Sequence, residues 1–161
     1  MRDEQEFHAF ASARMDRWRR SAFLLCQDWH TADDLVSMAA AKLFRHWRRV
    51  RAADNPDAYA QRILTRTWLD EQRRPWRRER PGLARLDEGW SPPDRVTDRD
   101  SLATLLRSLG PRQRAVLVLR FYLDYSVEDT AKILGMSEGS VKSHSARGLA
   151  NLRGIAGSFP F

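Results

Sequence analysis

Apolar residues recur at three- and four-residue intervals along most of the chain, the spacing of amphipathic helices, and the pattern predicts an all-α protein. The first helix runs from about Gln5 to Cys26, with Phe7, Ala11, Trp18, Ala22 and Leu25 as its stripe. The second opens at Thr31, where Thr31 to Asp34 resembles a capping box and Asp33 and Asp34 suit the positive end of the helix dipole, and it continues to about Val50. Its apolar residues are too many for one face: Leu35, Met38, Ala39, Leu43, Trp47 and Val50 form one stripe, and Val36, Ala40 and Phe44 widen it. Such a helix is either sandwiched between neighbours or presents part of itself to a partner. A third helix starts at Asn55, with Pro56 in the favoured first position, and ends near Arg74 because Pro75 follows; Tyr59, Ala60, Ile63, Leu64, Thr67 and Trp68 form its inward side.

Beyond residue 100 the pattern predicts a four-helix unit. Leu102, Leu105, Leu106 and Leu109 make a short helix stopped by Gly110, and Pro111 starts the next, with Ala115, Val118, Leu119 and Tyr122 inward. Ser126 to Arg153 reads as two helices around a tight turn. Ser126 caps the first with Asp129 three residues on, Gly135 ends it where positive φ is needed, and Ser137 caps the second. Val127, Ala131, Leu134, Val141, Leu149 and Leu152 face inward, leaving Gly139, Ser140, Lys142, Ser143 and Arg147 outward. This is the layout of a helix-turn-helix, whose second helix enters the major groove. An ordinary helical hairpin with a solvated polar face is the competing reading, and the small residues beside Lys142 favour the first because they permit close approach to a DNA backbone.

Four of the seven prolines (Pro75, Pro81, Pro92 and Pro93) fall between Arg74 and Asp94, so residues 76–100 read as a Pro/Arg-rich linker between small helical domains at 1–75 and 101–161. Trp76, Trp90 and the arginines of RRPWRRERP make the linker either a docking segment or a strap packed on its flanks. The net charge of +7 points to a polyanionic partner. Residues 1–75 hold 14 basic and 11 acidic groups, the linker 6 and 6, and residues 101–161 hold 8 and 4, so both domains are basic. On the third helix Arg62, Arg66 and Arg73 line one stripe leading to Arg74, either a solvated face or a phosphate-contacting one. Tyr59, Trp68 and Trp76 lie beside it and are candidates for stacking on unpaired bases.

Catalytic and metal-binding constellations are missing. His8, His30, His46 and His144 are scattered, Cys26 is alone among apolar neighbours, and no glycine-rich phosphate loop occurs, so neither an enzyme nor a cofactor or metal site is expected. No apolar run is long enough to span a membrane, and the acidic start MRDEQEFHAF is unlike a secretory signal, which makes the cytoplasm the expected compartment.

The order Asp33-Asp34-Leu35-Val36 with Phe44 and Trp47, then Asn55-Pro56 with Tyr59 through Arg74, then Leu109-Gly110-Pro111-Arg112-Gln113-Arg114 before the helix-turn-helix, closely resembles bacterial sigma factors of the extracytoplasmic-function group of the sigma-70 family. RRPWRRERP and SAFLLCQDWHTADDLV resemble an actinobacterial subgroup. The resemblance implies a promoter-recognition subunit of RNA polymerase. Its second helix would dock on the clamp helices of the largest subunit through Asp34, Leu35, Ser37, Met38, Phe44 and Trp47. Arg62, Arg66, Trp68, Arg73 and Arg74 would engage and help open the −10 element, and Ser137, Gly139, Ser140, Lys142, Ser143, His144 and Arg147 would meet the −35 element. Promoter DNA and core polymerase are the implied partners, and an anti-sigma factor is a third that the resemblance allows. The chain departs from the family at Ser37 and Met38, where glutamine and an acid are common, at Arg66, where asparagine is frequent, and at His144, where arginine is common. A free-standing helix-turn-helix regulator is the alternative; it explains Ser126 to Arg153 but not the broadly apolar second helix or the arginine stripe.

Overall fold

Each helix stops or starts where neighbouring groups take over its free amides and carbonyls. A computed structural model of the chain describes residues 1–73 and 98–156, and every regular element among them is helical. Helix α1 (Arg2–Cys26) ends on Gln27, whose φ of 67° turns its amide back to the Phe23 carbonyl at 2.7 Å while its side-chain amide reaches the Leu24 carbonyl at 2.7 Å. The next cap lies three residues before the expected one. Asp28 in extended conformation accepts the Thr31 amide at 2.9 Å and the Thr31 hydroxyl at 2.8 Å, so α2 (Trp29–Arg45) begins at Trp29. Asp33 and Asp34 therefore sit beyond the first turn, outside the reach of the dipole argument, and Asp33 instead pairs with Arg19 on α1 at 2.6 Å.

The second helix does not run unbroken to Val50. It breaks at His46 (φ −109°, ψ 24°), and α3 (Trp47–Ala52) follows, so the first unit has four helices and not three. The break sets Trp47 against Phe7 and Phe10 of α1, with ring centroids 5.5 and 5.1 Å away, and Phe10 continues the cluster to Trp18 at 5.9 Å. Asn55 caps α4 (Pro56–Arg73) by accepting the Ala58 amide at 3.0 Å. Leu35, Leu43, Val50, Leu64 and Trp68 fill the space between α1, α2, α3 and α4. Lys42 of α2 donates to the Thr67 hydroxyl at 3.1 Å, which in turn donates to the Ile63 carbonyl at 2.7 Å, fixing α2 on α4.

Helix α5 (Asp98–Arg107) ends before Gly110, which has an ordinary φ of −62° and serves as the N-cap of α6 (Pro111–Leu117). The chain then widens into a π-helical turn, Val118–Tyr122. The two helices after it follow the sequence pattern closely. Ser126 accepts the Asp129 amide at 3.0 Å to start α7 (Val127–Leu134), Gly135 ends it at φ 66°, and Ser137 accepts the Ser140 amide at 3.0 Å to start α8 (Glu138–Ala156). Val116, Ala131 and Val141 lock α6, α7 and α8 together. Gly148 is needed here for closeness, since a Cβ at that position would stand 3.0 Å from a Leu117 methyl group.

The two groups of helices share one continuous apolar core. Ala103, Leu106, Leu109, Leu117, Leu119 and Ile133 join the cluster built on Trp18, Leu25 and Trp68. Cys26, half-buried near this junction, donates its thiol hydrogen to the Asp28 carbonyl at 3.2 Å, and burial pushes its pKa up to about 11. The linker residues 76–97, including Trp76 and Trp90, and Arg74 and Pro75 before them lie outside the described residues.

Asp28→Ala should remove the α2 cap and cost about 1 kcal/mol of stability, whereas Thr31→Ala, which leaves the amide-to-carboxylate bond in place, should cost a fraction of that. The Thr31 amide, then its hydroxyl, hold the Asp28 carboxyl below its ordinary pKa. The cap's contribution is therefore present at neutral pH and is lost on acidification through the folded-state pKa; chemical denaturation of both variants at neutral and acidic pH checks this.

Candidate nucleic-acid interface

The expected recognition helix presents a face of small and cationic side chains. Gly139, Lys142, Ser143 and Arg147 are exposed along one side of α8. Ser137 and Ser140 are committed to the helix start, the Ser137 hydroxyl donating to Ser140 Oγ at 3.0 Å while accepting the Ser140 amide. His144 turns away from that open side. It lines a cleft of about 390 Å³ with Leu69, Gln72 and Arg73 of α4 and with Gly110, Pro111, Arg112 and Gln113 at the start of α6. Burial first, and then Arg147 and Arg112, press the His144 pKa below its ordinary value, so at neutral pH the ring is uncharged.

On α4 the arginine stripe divides. Arg62 and Arg73 are exposed, whereas Arg66 is half-buried and donates from Nε to the Ile133 carbonyl of α7 at 3.2 Å. Burial pushes its pKa down from the usual guanidinium value, and neighbouring Arg62 adds to this while Asp70 opposes it. Trp68 is 1% exposed, its ring beneath Arg114 at 5.7 Å, and it packs in the core; it is not available as a stacking platform. Tyr59 is half-buried beside the stripe, and Arg74 and Trp76 lie outside the described residues.

The expected polymerase surface on α2 is likewise smaller than its sequence pattern. Leu35 and Trp47, 2% and 6% exposed, are core residues whose side chains face inward. Asp34 and Ser37 are exposed, Met38 is half-buried, and Phe44 is 43% exposed with its ring 5.3 Å from that of Phe7. An aromatic ring held half out of the core by a second ring is a rigid apolar contact point.

Arg114 enters the sequence reading only as the last residue of the Leu109–Arg114 motif, with no role assigned to it. It lies on α6 and donates to the carbonyls of Leu106 at 3.0 Å, Arg107 at 3.1 Å and Leu109 at 3.1 Å, and across the two groups to Leu25 at 2.6 Å. No periodicity marks such a residue, because its partners are backbone atoms. Among the described residues no group of histidine, cysteine and carboxylate side chains is placed to hold a metal ion, and no helix is long and apolar enough to cross a membrane.

Residues 10–78 match the family model for sigma-70 region 2, and residues 99–152 match that for sigma-70 region 4. The chain belongs to the sigma-70 family of RNA polymerase sigma factors, in its extracytoplasmic-function group. It is 38% identical to the RNA polymerase sigma-E factor of Streptomyces coelicolor, over 92% of this chain and 84% of that one. It is 30% identical to the extracytoplasmic-function sigma factor SigM of Mycobacterium tuberculosis, over 86% and 70% of the respective chains. The fold is that of the sigma factor RpoE solved with the anti-sigma factor NepR from Bartonella quintana, with a TM-score of 0.74 at 20% identity over 97% of this chain and 99% of that one. CnrH, solved with the cytosolic domain of CnrY, gives a TM-score of 0.65 at 21% identity over 98% and 91%. The chain is thus an alternative sigma factor, which binds core RNA polymerase and directs promoter-specific initiation. A match to region 2 as well as region 4 leaves no place for the free-standing regulator.

A depressed folded-state pKa at His144 means that the unfolded chain takes up the proton more readily, so His144 favours unfolding as pH falls through the ordinary histidine range. His144→Gln should flatten that part of the stability–pH curve; thermal unfolding from neutral to mildly acidic pH checks it.

Proposed function

We propose that promoter recognition is divided along the chain, with residues 1–75 engaging the polymerase clamp and the −10 element, residues 101–161 engaging the −35 element, and residues 76–100 linking them. The observation that carries this division is the exposed strip Gly139, Lys142, Ser143 and Arg147 on α8, beside a serine-capped start, with the exposed Arg62 and Arg73 on a separate helix. Lys142 and Arg147 fix α8 on phosphates, and Gly139 and Ser143 let the helix approach base edges closely. Arg62 and Arg73, joined by Arg66 when it is released, hold the separating strands at −10. Asp34, Ser37, Met38 and Phe44 form the clamp contact, with Leu35 and Trp47 supporting them from beneath. Phosphodiester chemistry belongs to the polymerase; this chain supplies address and strand separation, acts in the cytoplasm, and has no catalytic residue of its own. An anti-sigma factor is a fitting regulator, since the RpoE structure named above was solved with one.

Lys142→Ala and Arg147→Ala should each weaken −35 binding several-fold and lower the salt dependence by about one phosphate contact, with polymerase affinity unchanged. Parallel loss of polymerase binding would show these residues to be structural. Phe44→Ala should do the reverse, lowering core affinity without altering binding of the free protein to duplex DNA. Arg62→Ala should slow promoter opening more than closed-complex formation, and a permanganate footprint of undiminished intensity would count against it.

A further inference from the structure

The two groups of helices are joined by a reciprocal arrangement of guanidinium groups. Arg66 of α4 reaches across to the carboxyl end of α7, where its Nε donates to the Ile133 carbonyl at 3.2 Å. Arg114 of α6 reaches in the opposite direction to the carboxyl end of α1, where its Nη1 donates to the Leu25 carbonyl at 2.6 Å. Both acceptors belong to the last turns of helices, whose carbonyls lack intrahelical donors and carry the negative end of the dipole. The fit at α7 is close: a Cβ on Gly135, which ends that helix at φ 66°, would stand 2.8 Å from Arg66 Nη2. The positive φ of the turn is what calls for glycine at 135, and the guanidinium end lies directly beside it. In the same arrangement His144 of the recognition helix and Arg73 of α4 line one cleft, so part of the −35 helix faces the −10 helix.

We propose that Arg66 and Arg114 clasp the chain in a closed, self-masking state, and that Arg66 serves either as the clasp on α7 or as a contact to promoter DNA, never as both at once. The second half of this statement rests on the DNA role proposed above for the α4 stripe. A guanidinium committed to a helix-end carbonyl is directed at protein and not at phosphate. The exposed residues of α2, by contrast, lie on a helix that packs on α1, α3 and α4, so the expected polymerase face stays accessible in the closed state, as do Arg62 and Arg73, while Arg66 of the −10 helix is held on α7. Polymerase would then be met first, and the clasp released before or during promoter engagement.

Small-angle X-ray scattering of the full chain tests the clasp. The wild type should have a radius of gyration near the ~15 Å of a compact chain of this length. Arg66→Glu places a carboxylate against the carbonyl end of α7 and should expand the molecule by several ångströms. Arg62→Glu makes the same change in charge one turn earlier without touching α7 and should leave it compact; circular dichroism of both variants confirms that helix content is kept. An Arg66→Glu chain as compact as the wild type overturns the proposal. Permanganate footprinting with core polymerase separates this outcome from failure of the DNA role. If the clasp is wrong, both variants stay compact and both lose promoter opening; if the DNA role is wrong, Arg66→Glu expands and neither variant loses it.

Discussion

The structure depends on how the carbonyl oxygens at helix carboxyl ends find donors where helices meet in the interior. Arg114 is the clearest case. A guanidinium offers five donors in a fixed plane, and here they gather carbonyls from the end of α5, from the turn before α6 and from the end of α1. One side chain sets the angle between α5 and α6, joins the second group of helices to the first, and covers the Trp68 ring. At the α1 end the Phe23 and Leu24 carbonyls are met by the backbone and side-chain amides of Gln27. Three successive carbonyls are thus satisfied by two residues, which lets α1 end inside a packed junction.

Around that junction the apolar surplus of α2 is resolved by division. Leu35, Val36, Ala39 and Leu43 are buried against α1 and α4, and the break at His46 turns Trp47 inward onto Phe7 and Phe10. What remains outside is Phe44 with its polar neighbours. The helix is both sandwiched and presented, and the bend after Arg45 allows one sequence to serve both ends.

Local signals were legible wherever chain neighbours create them. The serine caps at Ser126 and Ser137, the left-handed Gly135, Asn55 before Pro56 and the inward residues of α7 and α8 all follow from spacing and side-chain chemistry. The start of α2 was misread because two candidate caps stand three residues apart. Asp28 prevails because Gln27 ends α1 in a left-handed conformation, which leaves Asp28 extended and free to accept the Thr31 amide. Trp68, Leu35 and Trp47 show another limit. Periodicity sets each on the inward side of its helix and the structure buries it there, whereas the contact role came from the family resemblance, which does not separate a residue that meets a partner from one that supports it from beneath. Arg66 and Arg114 were not legible as tertiary contacts because their acceptors are backbone atoms of residues 67 and 89 positions away, which carry no sequence signature.

Cys26 has a consequence for how this protein receives information. With its pKa near 11, only about one thiol in ten thousand is ionised at neutral pH, and peroxides, disulfides and electrophiles react with the ionised form. The only sulfhydryl in the chain is therefore chemically quiet, even though it sits beside the junction where its modification would be felt most. An oxidative or electrophilic stress therefore has little direct entry through this sulfur, and the thiol serves packing at the junction instead of sensing.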